Sequence, residues 1–320
     1  MIKAVGMFIL GLLLLIVGGD LFVGGASDIA RKFHLPDLLI GATVVSIGTT
    51  LPEVMVSASG ALQGHSEIAY GNALGSIICN TALISAITIA VAPSAIKRKT
   101  MVVPSIFFFI AAALYSFAAY GDGYFSRLEG IVLLLIFVIY IGLQIREALK
   151  DNSESSKESD TKEKPFLLDL FYLVLGAVMI AYGADLLVDN GTLIARAMHV
   201  AESVIALTFV ALGTSLPELV TAIISLKKGH GLLSLGNIIG ANLFNLVLVC
   251  GISITLCPFA VPSAKLIHGL NASLVLDIPV MWGVMLLLVL PPLLKEKLYR
   301  WQGILLLLIY SVYSILQFCL

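Results

Sequence analysis

Charge is what this sequence has least of: 19 Lys and Arg and 20 Asp and Glu side chains, 12% of 320 residues, leave a formal net charge of −1. Soluble domains carry about twice that fraction of charged residues. With no basic excess there is no face for nucleic acid. The cysteines are few, and Cys79, Cys250, Cys257 and Cys319 stand in apolar stretches with no Cys-x-x-Cys pair. They read as packing residues, not as a disulfide frame or a thiolate metal site. His-Glu-x-x-His and Gly-x-Ser-x-Gly are both missing, and no paired aspartates occupy a protease-like setting. An intramembrane hydrolase therefore has no machinery here, and the chain reads as no enzyme. What is abundant is apolar surface: 59% of residues are hydrophobic, mean hydropathy is +1.03, and Val102 to Ala119 and Gly130 to Ile145 contain no charge. The fold class is all-α integral membrane.

At roughly 20 residues per crossing, breaks at charged and Pro/Gly clusters give ten spans, near 4–30, 36–62, 67–92, 101–120, 128–145, 166–195, 201–226, 231–257, 266–290 and 301–319. Lys3 ahead of an apolar run gives the first 30 residues the outline of a secretion signal, but the repeat below makes them span 1. Between spans 5 and 6, Arg146 to Lys164 holds 11 charges in 19 residues and reads as a flexible loop. If the spans alternate, 15 of the 19 Lys and Arg residues fall on one side, leaving only Lys3, Arg127, Arg196 and Lys265 on the other. The positive-inside rule makes the rich side cytoplasmic. The expectation is a multi-pass cell-membrane protein with both termini extracellular and the 146–165 loop cytoplasmic.

A shift of 165 positions aligns the second half with the first over about 75 residues without a gap. Asp20 falls on Asp185, Glu53 on Glu218, Asn72 on Asn237 and Asn80 on Asn245. Gly48-Thr49-Thr50-Leu51-Pro52-Glu53 matches Gly213-Thr214-Ser215-Leu216-Pro217-Glu218, and Gly71-Asn72-Ala73-Leu74-Gly75 matches Gly236-Asn237-Ile238-Ile239-Gly240. The identities fall on polar residues, Gly and Pro, where apolar helices do not match by chance. Five spans per half is an odd number, so the second half threads the bilayer upside down. The domain reading is residues 1–145 as a first five-helix repeat, 146–165 as the loop, and 166–320 as a second, inverted five-helix repeat. Inverted repeats of this kind place ion sites near the midplane, where the repeats meet.

Glu53 and Glu218 lie inside apolar spans that contain no Lys or Arg. An ionised carboxylate there costs several kcal/mol unless compensated, which points to a bound cation or a proton. Ser46, Thr49, Thr50 and Glu53 share one helical face, and Thr214, Ser215, Glu218, Thr221 and Ser225 build its counterpart. Pro52 and Pro217 deprive the carbonyls of Gly48 and Gly213 of a helical N–H, so a kink with freed carbonyls is expected at each. Asn72, Ser76 and Asn80 line one face of span 3; Asn237 and Asn245 line span 8, with Ala241 between them. Oxygen donors without thiolates or paired imidazoles suit Ca²⁺, Mg²⁺, Mn²⁺ or Na⁺. Asn72 and Asn237 read equally well as packing residues, Asp20 and Asp185 as network caps or an ion approach, and Asp277 as structural.

Two glutamates give the empty site a charge near −2, which is heavily disfavoured in the membrane interior. One divalent cation cancels it, and so do two or more monovalent cations or protons, but the same oxygens cannot hold both sets. A protein that changes its facing only when neutralised, by either set, is an antiporter. A passive cation channel is the competing reading.

At these residues the sequence resembles the calcium/cation antiporter superfamily, particularly the prokaryotic sodium/calcium exchangers, with alpha repeats at 41–80 and 206–245. The resemblance implies ten helices and Na⁺-for-Ca²⁺ exchange, commonly three to one in that family. It implies Ca²⁺ on the carboxylates of Glu53 and Glu218 and the carbonyls of Thr49 and Thr214. Sodium sites would use the carbonyls of Ser46 and Ala211, the Ser76 hydroxyl and the amides of Asn80 and Asn245, with Thr50 and Ser215 on the same faces. Spans 1 and 6 slide over the other eight in such exchangers. The partners implied are Ca²⁺ and Na⁺ ions and the lipid bilayer, with no resident cofactor and no obligatory protein partner. Ala241, where a serine hydroxyl often stands, and Asn245, where an aspartate can stand, leave H⁺ as an alternative counter-ion.

Overall fold

The computed structural model describes residues 2–33, 35, 37–64, 66–154, 165–197, 213, 215–263 and 266–319. Eight helices among these residues are long and apolar enough to cross a membrane, and they coincide with spans 1–6, 8 and 9. Span 10 is the 20-residue helix Arg300–Cys319. Of span 7, helix Leu216–Lys227 is described; Ala211 and Thr214 lie outside the described residues.

Span 5 differs from its sequence reading. Its helix runs from Arg127 to Glu154, through the first residues of the charged segment read as a loop. Glu147, Ala148, Leu149 and Lys150 are good helix formers, so charge ends the apolar span without ending the helix.

The chain divides into two compact units, Met1–Thr49 with Gln144–Asn237 and Thr50–Leu143 with Ile238–Leu320. Each takes residues from both halves of the repeat. In the first unit, span 1 (Ile2–Lys32) packs antiparallel on span 6 (Phe166–Ala197) along a glycine seam. A Cβ on Gly11 would lie 2.8 Å from the Gly183 carbonyl oxygen, and one on Gly18 would lie 3.0 Å from that of Gly176. Only glycine allows this approach, as in other membrane helix pairs. A shift of 165 carries Gly11 to Gly176 and Gly18 to Gly183, so it exchanges the two contacts. Buried Leu15, Phe22, Val23, Leu173 and Ile180 fill the core around the seam.

At one end of this pair Lys32 is bonded to the fully buried carboxylate of Asp169, beside an edge-on contact of Phe33 with Phe166. A buried carboxylate deprived of its cation costs about 3–5 kcal/mol, whereas removing both charges together is close to neutral. Lys32→Met should therefore lower the thermal midpoint in detergent sharply, and Asp169→Asn added to it should restore most of the loss. A double variant no better than the single would exclude this pairing as the cause.

In the second unit, span 3 (Ser66–Cys79) passes through a π-helical turn, Asn80–Ser85, into helix Ala86–Val91. Span 8 repeats this as Gly231–Phe244, a π-turn at Asn245–Cys250 and helix Gly251–Leu256. Gly303 of span 10 packs on Ala86 and Ala90, and Gly130 of span 5 packs on Gly251 and Thr255. A short bridge joins Ala95 to Lys297, and another joins Tyr124 to Ala260. The partners from spans 3 and 8 differ by 165, and those from spans 5 and 10 by 173. The extra eight positions accommodate the hairpin Leu266–Ile267 with Leu270–Asn271, which has no counterpart among the described residues of the first half. The same offset of 173 relates two helix starts: Glu129 accepts the Ser126 N–H at 2.6 Å and Gln302 accepts the Tyr299 N–H at 2.7 Å, each closing the helix's first turn.

Candidate functional site

In the first unit, span 2 enters through a short helix, Asp37–Ile40, and a π-turn at Gly41–Val45, and continues as Ser46–Leu62. Ser46 and Thr49 are buried and face Asn237 of span 8. The Ser46 hydroxyl is shared between the carbonyls of Gly41 at 2.6 Å and Asn237 at 2.9 Å. The Thr49 hydroxyl donates to Asn237 Oδ1 at 3.1 Å. Asn237 thus acts as a tie that orients the polar face of span 2.

Glu218, Thr221 and Ser225 of span 7, with Ser215 just before the helix, are also buried in this unit. Neither Glu218 oxygen meets hydrogen-bond geometry with a described group, although the Thr49 hydroxyl lies close beside the carboxylate. Pro217 opens the helix here instead of kinking it, leaving Glu218 in the first turn, where the helix dipole favours a negative charge. The Gly213 carbonyl, expected to be freed by Pro217, instead accepts the Leu216 N–H at 3.3 Å, in the tighter turn common at helix ends. Pro52, its counterpart, sits within a helix that continues on both sides.

In the second unit Thr50 and Glu53 are fully buried. Asn72 donates to the Glu53 carbonyl at 3.2 Å and to the Ser57 hydroxyl at 2.8 Å, binding span 3 to span 2. Asn72 and Asn237 are therefore both engaged in packing, one in each unit. Ser76, Asn80 and Asn245 are buried here as well, and Asn80 and Asn245 open the two π-turns. The helix Ser66–Cys79 of span 3 touches the π-turn of span 8. Both amide atoms of Asn80 and both of Asn245 are buried without a hydrogen-bond partner among the described residues, as are the hydroxyls of Thr50 and, in the first unit, Ser215. Such an orphaned group costs about 1–3 kcal/mol, and a bound ion or water is one of the few things that offset that cost in a native protein.

Of the eleven residues singled out by sequence, nine are described and all nine are buried: Ser46, Thr49, Ser215 and Glu218 in one unit, Thr50, Glu53, Ser76, Asn80 and Asn245 in the other. Among the side carboxylates, Asp20 is held by Lys228 at 2.9 Å. Asp277 accepts from Tyr313 at 3.1 Å and from Gln317 at 2.6 Å. Sequence reading missed a buried cluster in the second unit, Thr81, Asn242 and Met285, because an isolated polar residue in a span carries no pattern.

The family model for sodium/calcium exchanger proteins matches residues 3–146 and 168–319. The chain belongs to the sodium/calcium exchanger protein family. Among its relatives in this family, an uncharacterized membrane protein of Methanocaldococcus jannaschii is 35% identical over 322 residues, 98% of this chain and 97% of that one. The sodium/calcium exchanger MaX1 of Methanosarcina acetivorans is 29% identical over 349 residues, 97% of each chain. A solved structure of the sodium-calcium exchanger NCX_Mj, soaked with Na⁺ and Sr²⁺, matches with a TM-score of 0.81 and 33% identity over 97% of both chains. This exchanger-family chain is accordingly a mostly helical membrane protein.

Proposed function

We propose that the chain is a secondary-active antiporter that exchanges Na⁺ for Ca²⁺ by alternating access, with Glu53 and Glu218 as the carboxylates that take the divalent ion. The observation that carries this is the orphaned pair Asn80 and Asn245: four neutral amide atoms buried without hydrogen-bond partners among the described residues, at the openings of two π-turns that recur 165 residues apart. Amide oxygens of this kind suit hard cations. The donor set assigned to sodium is the carbonyls of Ser46 and Ala211, the Ser76 hydroxyl and these amides. Thr49 and Thr214 lend carbonyls to Ca²⁺, and Thr50 and Ser215 line the same faces.

Ten helices in two inverted repeats, 1–145 and 166–320, are the architecture of this proposal. The exchange of Gly11–Gly183 with Gly18–Gly176 on a 165-residue shift supports it, because a two-fold axis relating antiparallel helices demands that pairing. So does the recurrence of the span 3–10 contacts as span 8–5 contacts. The lysine and arginine distribution sets both termini outside and the 146–165 segment in the cytoplasm. No resident cofactor and no protein partner enter the cycle; the transported ions and the bilayer suffice.

The test is uptake by proteoliposomes. Vesicles loaded with Na⁺ and diluted into Na⁺-free medium should accumulate radiolabelled Ca²⁺, and dissipating the Na⁺ gradient should stop it. Uptake that follows a pH gradient without Na⁺ would assign the counter-ion role to H⁺. Flux that needs neither gradient would replace the antiporter with a channel.

A further inference from the structure

The second unit holds a buried polar cluster that the proposed ion site does not use. Asn242 of span 8 donates through Nδ2 to the Thr81 hydroxyl at 2.6 Å and to the Met285 thioether at 3.2 Å. The Thr81 hydroxyl itself lies 3.3 Å from the same sulfur. Asn242 and Thr81 are both fully buried, and Asn242 Oδ1 has no hydrogen-bond partner among the described residues. The Thr81 carbonyl is held as well, accepting from the Ser85 hydroxyl at 2.5 Å.

Stability alone does not require this arrangement. Under the 165-residue shift Asn242 corresponds to Ile77 and Thr81 to Leu246, and under the 173-residue shift Met285 corresponds to Ala112. Those three residues are apolar and fully buried, so the same architecture closes with hydrocarbon at the equivalent place. A polar cluster kept with one oxygen unsatisfied breaks the packing rule that its own counterpart obeys, and such breaks concentrate at functional sites.

Its placement says what it acts on. Thr81 follows Asn80 in the π-turn Asn80–Ser85, and Asn242 precedes Asn245 by one helical turn. The bond between them joins the two segments that carry the orphaned amides. It pins the Asn80 turn from outside the site through the Thr81 hydroxyl, the carbonyl being held within the turn by Ser85, while Leu246 gives the Asn245 turn no such tie.

We propose that Asn242 is a positioning residue: through Thr81 and Met285 it fixes the Asn80 amide, and thereby sets the affinity for the monovalent ion held on the Asn80 side without setting that for the divalent ion. This rests on the assignment of Asn80 to a sodium site. It also makes the two asparagines unequal, although the repeat presents them as equivalent.

The test uses the full-length chain in detergent and in proteoliposomes, with Asn242→Leu, Thr81→Val and the exchanged pair Asn242→Thr with Thr81→Asn. Na⁺-dependent thermal stabilisation reads monovalent binding without transport, and Ca²⁺-dependent stabilisation in Na⁺-free buffer reads divalent binding. Each single variant should raise the half-saturating Na⁺ concentration about fivefold, the size of one net hydrogen bond, and leave that for Ca²⁺ within about twofold. The two effects should not add, and the exchanged pair should recover part of the loss. Should Asn242→Leu fail to fold, Thr81→Val, which removes only a hydroxyl, decides. Unchanged Na⁺ dependence, or equal weakening of Na⁺ and Ca²⁺, overturns the inference. Wild-type chain that binds both ions but shows no Na⁺-driven uptake would instead defeat the exchange reading and leave this binding test standing.

Discussion

Glu218→Gln should abolish Na⁺-driven Ca²⁺ uptake while leaving the ion-free protein at least as stable as the wild type. Glutamine preserves the shape of a side chain that is fully buried at the first turn of its helix. It removes one of the two negative charges proposed to meet the divalent ion. A site near −2 is neutralised by Ca²⁺; a site near −1 becomes net positive when Ca²⁺ enters. Carrying one uncompensated charge through the bilayer interior costs at least about 3 kcal/mol, and each 1.4 kcal/mol is a factor of ten. The initial uptake rate should therefore fall more than about 100-fold, and Glu53→Gln should behave alike. The stability arm separates loss of function from loss of fold. No Lys or Arg among the described residues pairs with Glu218, and an ionisable group buried in that way is destabilising, so Glu218→Gln does not lower the thermal midpoint. Initial rates of labelled Ca²⁺ entry and melting in ion-free detergent check the two arms. A variant keeping more than about a tenth of wild-type uptake would remove Glu218 from the site.

The polar stripes are legible in the sequence because an acid, a proline or an asparagine inside an apolar span is costly, and is kept where an ion, a kink or a neighbouring helix makes use of it. That is why the nine described candidates are all buried. The same pattern is silent on what its parts do. Leu-Pro-Glu occurs twice, yet Pro217 opens a helix while Pro52 lies within one. A proline fits either place, and only the surrounding packing decides which. The π-turns at Asn80 and Asn245 insert a residue's worth of slack into a helix, which hydrophobic periodicity does not register. Asn237 and Asn80 look alike in sequence; one gives its backbone carbonyl to Ser46 and its Oδ1 to Thr49, and the other has neither amide atom partnered among the described residues. The division into two units is equally invisible along the chain, because it cuts span 2 between Thr49 and Thr50, within one polar stripe.

The sharpest steric demand in the described structure falls on the motif glycines that hold span 8 against the start of span 2. A Cβ on Gly236 would lie 2.2 Å from the carbonyl oxygen of Leu38, and one on Gly41 would lie 2.3 Å from that of Leu233 and 2.7 Å from the amide nitrogen of Asn237. These obstacles are backbone, so no rotamer relieves them. The segments must separate, and Asn237, the neighbour of Gly236, goes with its segment. Its bonds to Ser46 and Thr49 stretch at the same time, so an overpacking penalty of about 1–3 kcal/mol is joined by two weakened hydrogen bonds of about 1 kcal/mol each. Gly236→Ala and Gly41→Ala should each cost about 3–5 kcal/mol, enough to leave little monodisperse protein after size-exclusion in detergent. Gly283 is the control, since an added Cβ there meets no described atom within 4 Å. Gly283→Ala should be neutral or slightly stabilising, as alanine is in an unstrained helix. If Gly236→Ala melts with Gly283→Ala, the two backbones are not in contact, and the hydroxyls of Ser46 and Thr49 are oriented by something other than Asn237.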